Sequence, residues 1–146
     1  MLFESISSGA EAESPVWAAA LRAVPDLEPV FSPLVAEPLR LGLETIYEAY
    51  LVHYGRPRLF EPPDADEAVL LGDYLYAHGL VRIADVGGVP AVAAMARLIA
   101  RGAAERADGV GDDGVAWVDA ARELGGALDD GAVARALDAH SARVAS

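Results

Sequence analysis

Leu39-Arg40-Leu41-Gly42-Leu43-Glu44-Thr45-Ile46-Tyr47-Glu48-Ala49-Tyr50-Leu51-Val52-His53-Tyr54 is the stretch whose reading decides the fold. Leu39, Leu43, Ile46, Tyr47, Tyr50 and Leu51 recur at intervals of three and four, which a helix of 3.6 residues per turn gathers onto one face. Gly55 suits the C-terminal cap of such a helix. Pro57, Pro62 and Pro63 then predict an extended crossing over residues 56–63, since each proline biases its predecessor away from helical backbone.

Toward the C-terminus, Asp64 or Asp66 can cap the next helix, with Glu67 in its first turn. Val69, Leu70, Tyr74, Leu75, Leu80, Val81 and Ile83 give that helix a broad apolar surface, and Gly87-Gly88 ends it. Pro90 opens a further helix to about Glu105, built of small and aliphatic residues with Arg97 and Arg101 four apart on one face. So apolar a helix is expected to be buried on most sides, in a core or an interface. Residues 108–113 read as a Gly/Asp loop, and amphipathic helices follow over 115–124 and 132–144. Toward the N-terminus, Ser14-Pro15 is an N-cap and a first-turn proline for a helix over 16–24, which Pro25 stops. Pro29, Pro33 and Pro38 predict a kinked connector over 26–38. Residues 1–13 show no helical periodicity and read as a flexible arm. The expectation is a single all-α domain over 14–146, a bundle of five or six helices.

The composition agrees. The chain has 146 residues, enough for one domain with a real core. Hydrophobic residues are 53% but aromatics only 7%, so the apolar content is mostly Ala, Leu and Val, which favours helix. The formal charge of −12 repels phosphate backbones and anionic lipid heads, which argues against nucleic acid as a partner. With no cysteine there is no disulfide or thiolate chemistry. The sequence has no unbroken apolar run of roughly 18 residues, and a cytoplasmic location without a membrane span is expected.

Few residues suggest catalysis by themselves. His53, His78 and His140 lack metal-binding spacing, and no serine sits in a nucleophile elbow. Asp112-Asp113 and Asp129-Asp130 lie at helix starts, where the macrodipole accounts for them. No metal and no cofactor are expected.

The ordered series Gly55-Arg56-Pro57, then Glu67 to Ala77 containing Gly72-Asp73-Tyr74-Leu75, then residues 91–99, resembles the trans-polyprenyl diphosphate synthase family. There a G-[RK]-P-T segment follows the first aspartate-rich motif, and a stretch like A-V-L-x-G-D-x-L-x-A begins the next helix. Weaker similarity runs from Ala120-Ala121-Arg122-Glu123-Leu124-Gly125 to Val144, so the resemblance covers about residues 39–144 and implies a truncated isoprenoid synthase fold. The family ionises an allylic diphosphate on magnesium held by two D-D-x-x-D motifs. Here the first motif falls on Glu44, Thr45, Ile46, Tyr47 and Glu48, with the second aspartate replaced by Thr45. An E-x-x-x-E pair of this kind reads as a solvated helix face. The family's paired diphosphate-gripping arginines are replaced by His53 and Tyr54. The segment 25–38 has no isopentenyl-diphosphate motif, and the sequence ends at Ser146, about where the second aspartate motif would begin.

The resemblance therefore implies no catalytic residue. It implies a non-catalytic small subunit of a heteromeric polyprenyl diphosphate synthase, in a heterodimer or heterotetramer with a catalytic chain whose activity or product length it supports in isoprenoid or quinone side-chain biosynthesis. The expected partner surface comprises Val69, Leu70, Tyr74, Leu75, Val92, Met95, Leu98 and Ile99. An alternative is a free-standing helical homodimer that binds a prenyl chain or another apolar ligand. A third is a residual enzyme using Glu44 and Glu48 with one magnesium.

Overall fold

In the computed structural model, which describes residues 2–109 and 113–144, the chain is all-α. The elements are α1 (Leu2–Glu13), α2 (Pro15–Ala19), a 3-10 turn (Ser32–Leu34), α3 (Glu37–Tyr54), α4 (Ala65–Ala107), α5 (Gly114–Glu123) and α6 (Asp130–Val144). The hub is α3, buried along its whole length from Gly42 to Val52. It packs chiefly against α4, while α1, α6 and the 3-10 turn also lean on it.

The α3–α4 pair is antiparallel and close. A Cβ on Gly42 would sit 2.7 Å from Ile83 Cγ1; one on Gly79 would collide with Ile46, and one on Gly72 with His53. The partners 42/83, 46/79 and 53/72 step in opposite directions along the two helices. Gly72 and Gly79 thus provide notches, two helical turns apart, that admit α3 side chains. This is why Gly72-Asp73-Tyr74-Leu75 stands where it does: Gly72 and Leu75 face the core, and Asp73 faces outward.

Asp64 caps α4, its carboxylate accepting from the Glu67 N–H at 2.8 Å. The expected break at Gly87-Gly88 is a kink within one element. Gly88 has φ 66°, a conformation that favours glycine, and the helix resumes through Pro90. By length and composition alone α4 could cross a membrane, and 28% of its most apolar window is buried in this fold. The second half of α4 is not buried on most sides: Ala91, Ala94, Met95, Leu98 and Gly102 face inward, while Val89 is 82% exposed.

Two sequence expectations are corrected here. Residues 2–13 of the expected arm form helix α1, because Phe3, Ile6 and Ala10 fall on one face and are buried against Ala49, Val52, Leu59, Phe60, Leu71 and Leu75. The small polar residues between them conceal that spacing; Met1 lies outside the described residues. The helix expected over 16–24 stops at Ala19, because the chain beyond it extends to pair with the crossing. Arg22 N–H donates to Leu59 O at 2.9 Å, Glu61 N–H to Ala20 O at 2.7 Å, and Asp26 N–H to Arg58 O at 3.0 Å. Backbone groups satisfied this way no longer need a helix.

Gly79→Ala is expected to destabilise the fold by about 1–3 kcal/mol, the range for overpacking a filled core. Urea denaturation of Gly79→Ala, alone and combined with Ile46→Val, checks this: the second change should recover part of the loss.

Candidate functional site

Glu44 and Glu48 are one turn apart on α3, and both are fully buried. This corrects the expectation of a solvated face. Between them lies Arg58, also fully buried: its Nη1 donates to Glu44 Oε2 at 2.5 Å and its Nε to Glu48 Oε1 at 3.0 Å. The remaining acceptor capacity is used by backbone. Val30 and Ser32 N–H reach Glu44 Oε1 at 3.1 and 3.3 Å, and Arg58 and Leu59 N–H both reach Glu48 Oε2 at 2.9 Å. Arg58 Nη1 also donates to Glu28 O at 2.8 Å.

Buried charges persist only when paired and fully hydrogen-bonded. Burial alone would push the Arg58 guanidinium toward losing its proton, but Glu44 and Glu48 outweigh that and raise its pKa above the ordinary value. Arg58 Nη2 has no hydrogen-bond partner among the described residues. The guanidinium lies 4.8 Å from the Phe3 ring centroid and 5.1 Å from that of Tyr47, so aromatic faces take the place of an acceptor.

Magnesium needs free carboxylate oxygens with room for its waters. All four carboxylate oxygens of Glu44 and Glu48 already accept hydrogen bonds from Arg58, Leu59, Val30 or Ser32, so this pair does not fit the family's metal. Thr45 is turned away from them: its hydroxyl donates to Leu41 O at 2.6 Å and accepts from Arg82 Nη1 at 2.8 Å. Among the described residues no group of three or more His, Asp or Glu side chains could hold a metal ion.

A second polar network begins at Tyr47, whose ring faces the Arg58 guanidinium. Tyr47 Oη is 2.8 Å from His140 Nδ1, and His140 Nε2 is 3.0 Å from Asp113 Oδ1. Tyr50 O–H donates to the same oxygen at 2.6 Å, and Arg106 Nη2 donates to Tyr50 Oη at 2.5 Å. One tautomer completes the series: Nε2–H donates to Asp113, and Nδ1 accepts from the Tyr47 O–H. Burial tends to raise the Asp113 pKa, but hydrogen bonds from His140 and Tyr50, with the Arg106 charge nearby, hold it below 3.8. Burial pushes Tyr47 and Tyr50 far above the ordinary phenol range. Phe31 stacks on Trp117 at 5.5 Å, and both pack around Tyr47 and His140, so rings fill this interior. Of the acid pairs at helix starts, Asp113 belongs to this network and Asp112 lies outside the described residues. Asp129 caps α6 by accepting from Ala132 N–H at 2.9 Å.

At the diphosphate-binding positions, His53 is half-buried, stacked on Tyr76 at 5.2 Å, with Nε2 3.5 Å from Asp73 Oδ1. Burial lowers its pKa, and Asp73 only partly opposes this. Tyr54 packs on Tyr50 and lies 5.6 Å from the Arg106 guanidinium. The structure does not bring His53 and Tyr54 to Glu44 and Glu48.

The partner-surface candidates divide. Val69 and Leu70 are exposed, and Tyr74, Val92 and Ile99 are half-buried. Leu75, Met95 and Leu98 are buried in this chain's own core, so they are unavailable to a partner in this fold. Arg58 was the residue missed from sequence. It stands where the resembled G-[RK]-P-T motif has threonine, and an added charge just after two one-turn-spaced acids was the available signal.

No family model matches the chain, and no curated protein or solved structure matches it either. The resemblance therefore rests on the quoted residues alone.

Arg58→Met is expected to destabilise the fold by about 3–5 kcal/mol, since it strands two buried carboxylates. Adding Glu44→Gln and Glu48→Gln keeps acceptors for the four backbone N–H groups and should restore much of the loss in urea denaturation. The Asp113 contribution has the opposite pH sense to a stabilised base. With its folded pKa depressed, its stabilisation is present above about pH 3.8 and is lost as pH falls through the lower folded value. Asp113→Asn should flatten that part of the acid limb in a pH series of urea midpoints.

Proposed function

We propose that this chain is a non-catalytic, cytoplasmic helical subunit that pairs with a polyprenyl diphosphate synthase-like catalytic chain and supports its activity or product length. The observation that carries the reading is the closure of Glu44 and Glu48 on Arg58. The positions that in the resembled family recruit magnesium serve here as internal struts, which removes the means of neutralising a leaving diphosphate.

The exposed side of α4 supports the pairing. Val69, Leu70 and Val81 are 51%, 61% and 59% exposed on the helix that carries Gly72-Asp73-Tyr74-Leu75. Aliphatic side chains held out this way on a rigid element suit contact with another surface. The alternative of a prenyl-binding homodimer is less well supported, because the interior around Tyr47, Tyr50 and Trp117 is filled by aromatic rings.

Co-expression with a synthase bearing both aspartate motifs tests the reading. The two chains should co-purify, with the synthase's rate or product length dependent on this subunit. Leu70→Asp with Val81→Asp should weaken the association at least tenfold while leaving the helical circular dichroism unchanged. Turnover of allylic and isopentenyl diphosphates by the isolated chain would sink the non-catalytic reading.

A further inference from the structure

On the first half of α4, Asp66, Leu70, Asp73, Ala77, Val81 and Ala84 are all exposed and recur at intervals of four, three, four, four and three. Their mean spacing is 3.6, so they form one straight ridge of five turns, about 27 Å long. The ridge is apolar at Leu70, Ala77, Val81 and Ala84, and it is interrupted or bounded only by acids: Asp66, Asp73 and, just past its end, exposed Asp85. Asp73 lies 3.5 Å from half-buried His53, and among the described residues no cation pairs with Asp66 or Asp85. The one basic residue of this half, Arg82, turns inward to Thr45. On the second half, Arg97 and Arg101 are engaged with Glu123, Asp119 and Glu105, so they do not neutralise the ridge.

We infer that this ridge docks a partner surface that is apolar along its centre and basic at its ends, and that it selects against a second copy of this chain. The register shows why. If two copies pair antiparallel, Leu70 meets Val81 of the other copy, so the apolar positions match. The same register sets Asp66 of each copy against Asp85 of the other, while Asp73 falls opposite His78. Parallel pairing in register sets each acid against itself. Like charges placed opposite each other oppose association, and a chain of net charge −12 adds a long-range repulsion to this. Lysine or arginine at matching positions, about 28 Å apart, converts the same contacts into attraction.

The inference rests on the subunit reading only in taking α4 as the docking element, and its test involves no synthase. The two can therefore fail separately. The probe is a charge-reversed copy, Asp66→Lys/Asp85→Lys, mixed with the wild-type chain and followed by sedimentation equilibrium. The mixed pair is expected to have a Kd at least tenfold below that of either chain alone in 50 mM salt. That advantage should shrink in 500 mM salt, and Leu70→Asp in either chain should remove it. Circular dichroism verifies folding of the reversed chain; should lysine at position 66 weaken the first turn of α4, Asp85→Lys alone gives the same test with one contact. A mixture that pairs no better than the separate chains overturns the inference. So does wild-type self-association that is as tight as the mixed pair and is lost on Leu70→Asp, which would make a second copy the occupant.

Discussion

A guanidinium buried between two carboxylates one helical turn apart is the interaction on which this structure depends. Arg58 joins three segments whose apolar residues also pack together, among them Val30 and Phe31 of the connector and Leu59 and Phe60 of the crossing against α3. Its side chain clamps Glu44 and Glu48 of α3, and its Nη1 also takes the carbonyl of Glu28 in the connector. Its backbone carbonyl receives Asp26 N–H. The carboxylates in turn hold the N–H groups of Val30, Ser32, Arg58 and Leu59. Proline-rich segments cannot satisfy all of their backbone through helix, so Glu44 takes two N–H groups of the connector and Glu48 two of the crossing.

Further packing follows from that anchoring. With residues 58–61 fixed, the chain at 20–26 pairs alongside them, and α1 can lay Phe3 over the Arg58 guanidinium and Ile6 among Leu59, Phe60 and Leu71. Next to the Arg58 clamp on α3, Tyr47 and Tyr50 face His140 and Asp113, which draws α6 and the start of α5 against α3. Arg143 of α6 then returns to Asp26 and Glu28 at 2.5 and 3.1 Å, closing the circuit at the connector. One helix thereby carries two polar clusters that meet at Tyr47. A metal at Glu44 and Glu48 would have to displace Arg58 and release the connector with it, so the catalytic use of these acids and this fold exclude each other.

The all-α class and the placement of α3, α5, α6 and the two halves of α4 were legible in the sequence, because spacing at three and four and the flanking Gly and Pro residues act locally. The features that escaped depend on distant contacts. Serines and a glycine dilute the α1 face, and only its seat on Leu71 and Phe60 makes Phe3, Ile6 and Ala10 readable as a stripe. The early end of α2 is set by pairing with the crossing, forty residues away in sequence. For the candidate site, the resemblance singled out the acids at 44 and 48, but their one-turn spacing read as a solvated face. Whether a carboxylate is solvated or buried depends on whether a cation is delivered to it, and Arg58 arrives from a segment that looked like a mere crossing. Similarly, an apolar run identifies α4 without telling Met95 and Leu98, which face the core, from Leu70 and Val81, which do not.

The central claim is that Glu44 and Glu48 are closed to metal and diphosphate by Arg58. Isothermal titration of magnesium with inorganic pyrophosphate into the isolated chain probes it most directly. The expected result is no saturable heat through the millimolar range, for the wild type and for Glu44→Gln alike. Saturable binding to the wild type that Glu44→Gln removes would contradict it.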